Sequence, residues 1–104
     1  MYEVVSQRLW IGNARDARNP RALLDTGIDA VVDLAYEEPA ANLPRNIVYC
    51  RFPLIDGSGN DERLLKLALH SIAQLHSTDT PTLVACGAGM SRAPALTAAA
   101  LSVL

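Results

Sequence analysis

The residues with the most chemical content stand in one stretch, Ala85-Cys86-Gly87-Ala88-Gly89-Met90-Ser91-Arg92-Ala93-Pro94, directly after the apolar run Thr82-Leu83-Val84. A thiol and a guanidinium five residues apart, with two glycines between them, have the parts to grip an anion and to attack it. Gly87 and Gly89 lack the Cβ atoms that would stop a backbone curling round a ligand. Successive N–H groups of Gly87, Ala88, Gly89, Met90, Ser91 and Arg92 can then converge on a phosphate or sulfate at the start of a helix. Arg92 is placed to close that ring, its planar fork matching two anion oxygens at once. Pro94 suits a first helical turn, where an N–H would have no intrahelical acceptor.

The same surroundings would activate the sulfur. A thiol near its reference pKa of about 8.5 is only a few per cent ionised at neutral pH. Lowering that value by about three units requires roughly 4 kcal/mol of preferential thiolate stabilisation. A helix terminus alone supplies roughly 0.3–2 kcal/mol, so several N–H donors and Arg92 must act together. The bland alternative is a strand-to-helix turn with a buried, inert cysteine. Two other glycine-loop chemistries fail on residues: a nucleotide-binding Walker loop ends in Gly-Lys-Ser/Thr, and a dinucleotide fingerprint has a third glycine where Arg92 stands.

The elements that must position this loop are legible in outline. Tyr2-Glu3-Val4-Val5 and Arg8-Leu9-Trp10-Ile11, the latter followed by Gly12-Asn13, read as two short strands around a turn. Asn19 as N-cap, Pro20 in the first turn and Gly27 as stop predict a short helix over 20–26. Ala30 to Leu34 is a buried strand, 36–46 a polar loop with Pro39 and Pro44, and Ile47 to Phe52 another strand. A turn-rich loop over 53–60 contains Asp56-Gly57-Ser58-Gly59, and Asn60 is expected to cap a helix over 61–76. On that helix Leu65, Ala68, Leu69, Ile72 and Leu75 share one face, while Asp61 and Glu62 lie in the first turn, where the helix dipole favours them. Thr82 to Ala85 is a short central strand and 91–104 a helix of small residues and leucines. Alternating strands and helices predict an α/β fold with a central, mainly parallel sheet flanked by helices, as one domain over 1–104. Such sheets place ligand loops at the carboxyl ends of their strands, where Cys86 falls.

Composition excludes several classes. The chain has 104 residues, half of them hydrophobic, and a net charge of −2. Nothing in that balance calls for nucleic acid or an anionic membrane as partner. The apolar run from Ala93 to Leu104 is too short to span a bilayer. Two cysteines, Cys50 and Cys86, make no disulfide framework, and with no secretory signal at the start a cytoplasmic home is expected. The chain stops on Leu-Ser-Val-Leu in mid-pattern, which suggests either a covering partner surface or a piece of something longer.

The Cys-x5-Arg loop between strand and helix resembles the signature of cysteine-dependent protein phosphatases, specifically the dual-specificity branch. The resemblance extends in order along the chain: Arg8-Leu9-Trp10-Ile11-Gly12-Asn13 is similar to the family's opening strand and turn, Gly27-Ile28-Asp29-Ala30-Val31-Val32-Asp33-Leu34 to its helix-to-strand segment, and Phe52-Pro53-Leu54-Ile55-Asp56 to the loop carrying its general acid. It implies that Cys86, as thiolate, attacks the phosphorus of a phosphomonoester in a phosphorylated protein or other substrate. Arg92 and the N–H groups of residues 87–92 would hold the equatorial oxygens. Asp56, thirty residues before the cysteine, would protonate the leaving oxygen and then activate water; Asp61 is the second choice for that role. The resemblance implies no metal and no cofactor, and neither His70 nor His76 sits in a metal-ligand pattern. It also implies further helices beyond Leu104.

Two positions depart from the family pattern. Ala85 stands where a histidine usually precedes the cysteine, and Ala93 where a serine or threonine usually follows the arginine. These departures keep open a catalytically impaired phosphate-binding module. A rhodanese-like sulfurtransferase also uses a cysteine loop, but Asp56 and the Arg92 clamp argue against it. Elsewhere, Cys50 is expected in the core, with a resolving thiol as the sharper alternative. Trp10 reads as a packing anchor, and His70 and His76 as partly exposed helix residues. Arg45 and Arg51 read as solvated loop charge, with a rim for a phosphorylated substrate as the sharper alternative, and Glu37 and Glu38 read as solvated charge.

Overall fold

The computed structural model describes residues 1–87 and 91–104. Along the chain it forms strands β1 (Tyr2–Val5) and β2 (Leu9–Asn13), helices α1 (Ala14–Ala17) and α2 (Pro20–Thr26), and strands β3 (Ala30–Ala35) and β4 (Val48–Leu54). Helix α3 (Glu62–Ser77), strand β5 (Thr82–Cys86) and helix α4 (Arg92–Ser102) complete it. The sheet runs β1-β2-β5-β3-β4. β2, β5, β3 and β4 are mutually parallel, and only β1 runs antiparallel, against β2. The architecture is the α/β class anticipated from the alternation of apolar strands and amphipathic helices.

β3 and β5 are buried at every position, as expected of near-continuous apolar strands covered on both faces. Their side chains alternate between two cores. Leu83 and Ala85 join Trp10, Leu23, Ile28 and Val31 on the face covered by α1 and α2. Val84 and Cys86 join Val32, Leu34, Ala68, Ile72 and Ala93 on the face covered by α3 and α4. The period of two along β5 therefore sends the Cys86 side chain toward the start of α4. It leaves Ala85 fully enclosed on the opposite side.

Helix ends follow local chemistry, with two departures from the sequence reading. α2 has its Asn19 cap, accepting from Ala22 N at 3.2 Å, and its left-handed Gly27. α1, however, was not anticipated. Gly12 and Asn13 continue β2 rather than turning, and Asn13 then starts α1 through a reciprocal cap with Asp16, each side chain accepting the other's N–H at 2.9 and 3.0 Å. α3 is capped not by Asn60 but by Asp61, which accepts from Arg63 N at 2.9 Å. The α3 face is as expected, with Ala68 and Ile72 buried and Leu65, Leu69 and Leu75 packed partly against the core. No helix among the described residues is long and apolar enough to cross a membrane.

The parallel register gathers four strand ends on one edge of the sheet. Asn13 pairs with Cys86, Asp33 with Ala85, and Ala35 with Leu54. Ala85, where the pattern described above usually has a histidine, is fully buried. Ala85→His is therefore expected to overpack that face by about 1–3 kcal/mol and lower the melting temperature. An unchanged melt, measured by calorimetry, would show that the space exists after all.

Candidate active site

Cys86 is the last residue of β5 and fully buried. Arg92 opens α4 and is only 8% exposed. A guanidinium so enclosed needs partners, and the described residues supply three. Nη1 donates to Glu37 Oε1 and to the Leu54 carbonyl, both at 2.7 Å, and Nη2 donates to Glu37 Oε2 at 2.6 Å. Glu37 thus grips the end of the fork with both oxygens, the strong bidentate geometry. Hydrogen bonding to Arg92 holds the Glu37 carboxyl down at about 2. In return Glu37 raises the Arg92 pKa against the opposing effect of burial, with added Coulomb attraction from Cys86 and Asp56. The guanidinium is fixed as a cation at a point where those two side chains are close enough to feel it.

Glu37 was read from the sequence as solvated loop charge, and the structure corrects this. Its carboxylate is half exposed, yet it is tied into the site by the turn that carries it. Tyr36 N donates to the same Leu54 carbonyl that Arg92 holds, at 3.1 Å. Arg51, also read as solvated, donates from Nη2 to the carbonyls of Ala35 and Glu38, bracketing the turn. Beside it the Tyr49 hydroxyl donates to buried Asp33 at 2.6 Å and accepts from Ala41 N at 2.9 Å. Burial first, and then the Asp33 hydrogen bond, push the Tyr49 phenol above its ordinary pKa.

Gly87 follows Cys86 and meets this ion pair directly. A Cβ built there would lie 2.2 Å from Glu37 Oε2 and 2.9 Å from Arg92 Nη2. Any larger residue here would force the pair to shift from where it presses against the backbone at the start of the loop. Ala88, Gly89 and Met90, the expected centre of the anion cradle, lie outside the described residues.

Asp56 stands on the loop that leaves β4 and is exposed. Its Oδ1 accepts a short hydrogen bond from the Ser91 hydroxyl. Ser91 occupies the N-cap position of α4 but makes no side-chain cap. The loop itself is closed at its base by Asn60, whose amide accepts from Ile55 N at 2.8 Å and donates to Ile55 O at 2.9 Å. Gly57 and Gly59, both at positive φ, allow the tight return between them. A cavity of about 290 Å³ lies beside this loop, lined by Asp56, Asn60, Ser91 and Arg92 together with Leu54, Leu65 and Leu96. The structure thus brings Asp56, Ser91 and Arg92 onto one cavity, with Cys86 and Gly87 at the adjoining strand end. Asp61, the second candidate acid, is occupied as the α3 cap.

Cys50 does not stand with Cys86. Both Cys50 and Val84 are in register with Val32, on either side of β3, and Cys86 lies two residues further along β5. Two strand spacings of about 4.8 Å each already exceed the reach of roughly 7 Å between bridged Cα atoms. Both cysteines are free thiols, and a disulfide between them does not fit this sheet.

A parallel sheet with a cysteine at one strand end, an arginine at the following helix start and an aspartate on a neighbouring loop defines the dual-specificity phosphatase class of fold. Residues 8–103 match the sequence model described as "Tc-R-P: Polymorphic toxin system, DSP-PTPase phosphatase". The chain belongs to this family of DSP-PTPase phosphatases. Human DUSP28 superimposes with a TM-score of 0.82 at 23% identity, covering 99% of this chain and 71% of that one. A mouse putative dual specificity phosphatase complexed with zinc tungstate gives 0.76 at 25% identity, over 98% of this chain and 69% of the other. OH1 from the Orf virus, described as a tyrosine phosphatase with triple substrate specificity, gives 0.67 at 24% identity over 88% and 53%. No curated protein sequence matches the chain.

Two outcomes test the ion pair. The folded Glu37 pKa of about 2 lies below its ordinary 4.5, so its stabilising contribution is fully present above pH 4.5 and is lost as the pH falls toward 2. Wild type and Glu37→Gln should accordingly differ in melting temperature at neutral pH and converge across that acid window. A gap that stays constant with pH would show that the pairing contributes nothing. Gly87→Ala should disrupt the same pair. Its loss of stability should shrink when Glu37 is also changed to Ala, which a double-mutant cycle of thermal melts would measure.

Proposed function

We propose that the chain is a single catalytic domain that hydrolyses phosphomonoesters through a phosphocysteine intermediate, acting on phosphotyrosine and on phosphoserine or phosphothreonine in proteins. The observation that carries this reading is an edge of Arg92 that has no partner among the described residues. Glu37 and Leu54 take both hydrogens of Nη1 and one of Nη2. The buried Nε–H has no partner among the described residues, and with the second hydrogen of Nη2 it forms one edge of the planar group. Nη2 is the nitrogen nearest Gly87. A buried, oriented pair of N–H donors beside a cysteine-led loop suits two oxygens of a tetrahedral dianion. Among the related structures, the mouse phosphatase is described with tungstate, an ion of that shape.

In the proposed reaction the Cys86 sulfur forms a bond to phosphorus as the ester P–O bond breaks. Asp56 gives its proton to the departing oxygen, so that an alcohol or phenol leaves. Arg92 and the N–H groups of residues 87–92 hold the three equatorial oxygens throughout. Water then attacks phosphorus, its proton passes to Asp56, and the sulfur leaves as thiolate. The cycle consumes one water and needs neither metal nor cofactor. A reducing compartment such as the cytoplasm would keep the thiol available for it.

Burst and steady-state hydrolysis of an aryl phosphate test this reading. Cys86→Ser should abolish both, by about 1000-fold or more. Asp56→Asn should slow esters of weakly acidic phenols by about 100-fold or more while sparing those of strongly acidic ones. Turnover that survives Cys86→Ser would overturn the proposal. Tungstate binding without any burst would indicate instead a phosphate-binding module, the outcome that Ala85 and Ala93 keep in view. Sulfur transfer from thiosulfate would indicate a rhodanese-like enzyme.

A further inference from the structure

Two residues whose type and position suit helix capping do not cap their helices. Asn60 precedes α3 by two positions, yet Asp61 performs the capping. Ser91 is the N-cap residue of α4, yet no backbone N–H of that helix reaches its hydroxyl. Ser, Asn and Asp owe their preference for such places to the hydrogen bonds they make there. Here both side chains turn to the loop that bears Asp56. Asn60 satisfies both backbone groups of Ile55, the residue before the aspartate, with a donor and an acceptor at normal lengths. This welds the six residues from Ile55 to Asn60 into a closed ring. Ser91, which lines the same cavity as Asp56, donates to Asp56 Oδ1.

We propose that Asn60 and Ser91 are positioning residues that preset the acid loop, fixing Asp56 in its working place before substrate arrives and assigning roles to its two oxygens. This rests on the phosphatase reading given above. The Ser91 hydroxyl occupies Oδ1 and, as a donor, leaves Oδ2 as the oxygen that carries the proton to the leaving group and later receives one from water. The ring closed by Asn60 sets the direction in which Asp56 leaves the sheet. Gly57 and Gly59 let the ring close without strain. The acid loop is thereby a fixed wall of the site and does not swing over bound substrate.

The test compares Asn60→Ala, Ser91→Ala and Ser91→Thr with wild type on two aryl phosphates whose phenols differ widely in acidity, across pH. Asn60→Ala should retain the burst on the ester of the acidic phenol, and Ser91→Ala, at a residue whose N–H belongs to the proposed cradle, should lose less on that ester than on the other. Each should lose about 10- to 100-fold in kcat on the ester of the weakly acidic phenol, with KM little changed. Ser91→Thr, which keeps the hydroxyl, should restore most of that loss. In an Asp56→Asn background the same changes should add less than about twofold, since the group they position is already disabled. Equal losses on both esters, or losses that multiply in full onto Asp56→Asn, would overturn the inference while leaving the phosphatase reading intact. Turnover independent of Cys86 would sink that reading and this one with it. Hydrogen exchange gives a readout free of turnover. In ligand-free wild type the Ile55 amide should be protected, and Asn60→Ala should abolish that protection. Fast exchange in the wild type would show that the loop is not preset.

Discussion

The Arg92 guanidinium is removed from water by the sheet edge and the first turn of α4, and an enclosed cation of this kind is tolerated only with well-placed acceptors. Those acceptors come from two other strand ends: a carboxylate two residues past β3 and a carbonyl at the end of β4. Much of the local architecture serves to bring them there. The parallel register aligns the strand ends, Arg51 brackets the turn that carries Glu37, and glycine at position 87 leaves the space the pair occupies. The Leu54 carbonyl receives both Arg92 and the Tyr36 amide, so the ends of two strands and the start of α4 meet at one oxygen.

The aspartate loop is organised on a different principle. It is exposed and contains two positive-φ glycines, features that often accompany mobility. Yet Asn60 closes it with two hydrogen bonds from a single side chain, and Ser91 anchors Asp56 to the start of α4. Small polar side chains compete with backbone structure wherever they stand. In this molecule two of them stabilise an irregular loop rather than the helices they adjoin, and Asp61 takes over the cap that Asn60 leaves vacant.

The strand and helix sequence was legible because its signals are local: continuous apolar runs for β3 and β5, a leucine face for α3, and Asn-Pro with a later Gly for α2. The cysteine at a strand end and the arginine at the next helix start were legible for the same reason, since Cys86 and Arg92 sit within seven consecutive residues. What escaped were pairings set by topology. Glu37 reads as one more charge in a polar loop until β3 is known to lie beside β5, with Asp33 level with Ala85; residues just past β3 must then face those just past β5. A cation destined for burial at the start of α4 was the available hint that a carboxylate was owed to it. Asn60 was misread because two adjacent residues, Asn60 and Asp61, could each have capped α3, and only the backbone of the preceding loop decides between them. The brief α1 was missed because Asn13-Ala14-Arg15-Asp16 carries a reciprocal cap but too few residues to show a helical period.

Glu37 and Arg92 are 55 positions apart in the chain. As the polypeptide emerges during synthesis, the carboxylate appears early and must wait for the segment that contains β4, α3 and β5 before its guanidinium exists. The Glu37–Arg92 pair is thus assembled only once β5 has inserted between β2 and β3. The same separation means that any break in the backbone between the two residues would leave the carboxylate and the guanidinium on different pieces, held together by the sheet and by their own ion pair.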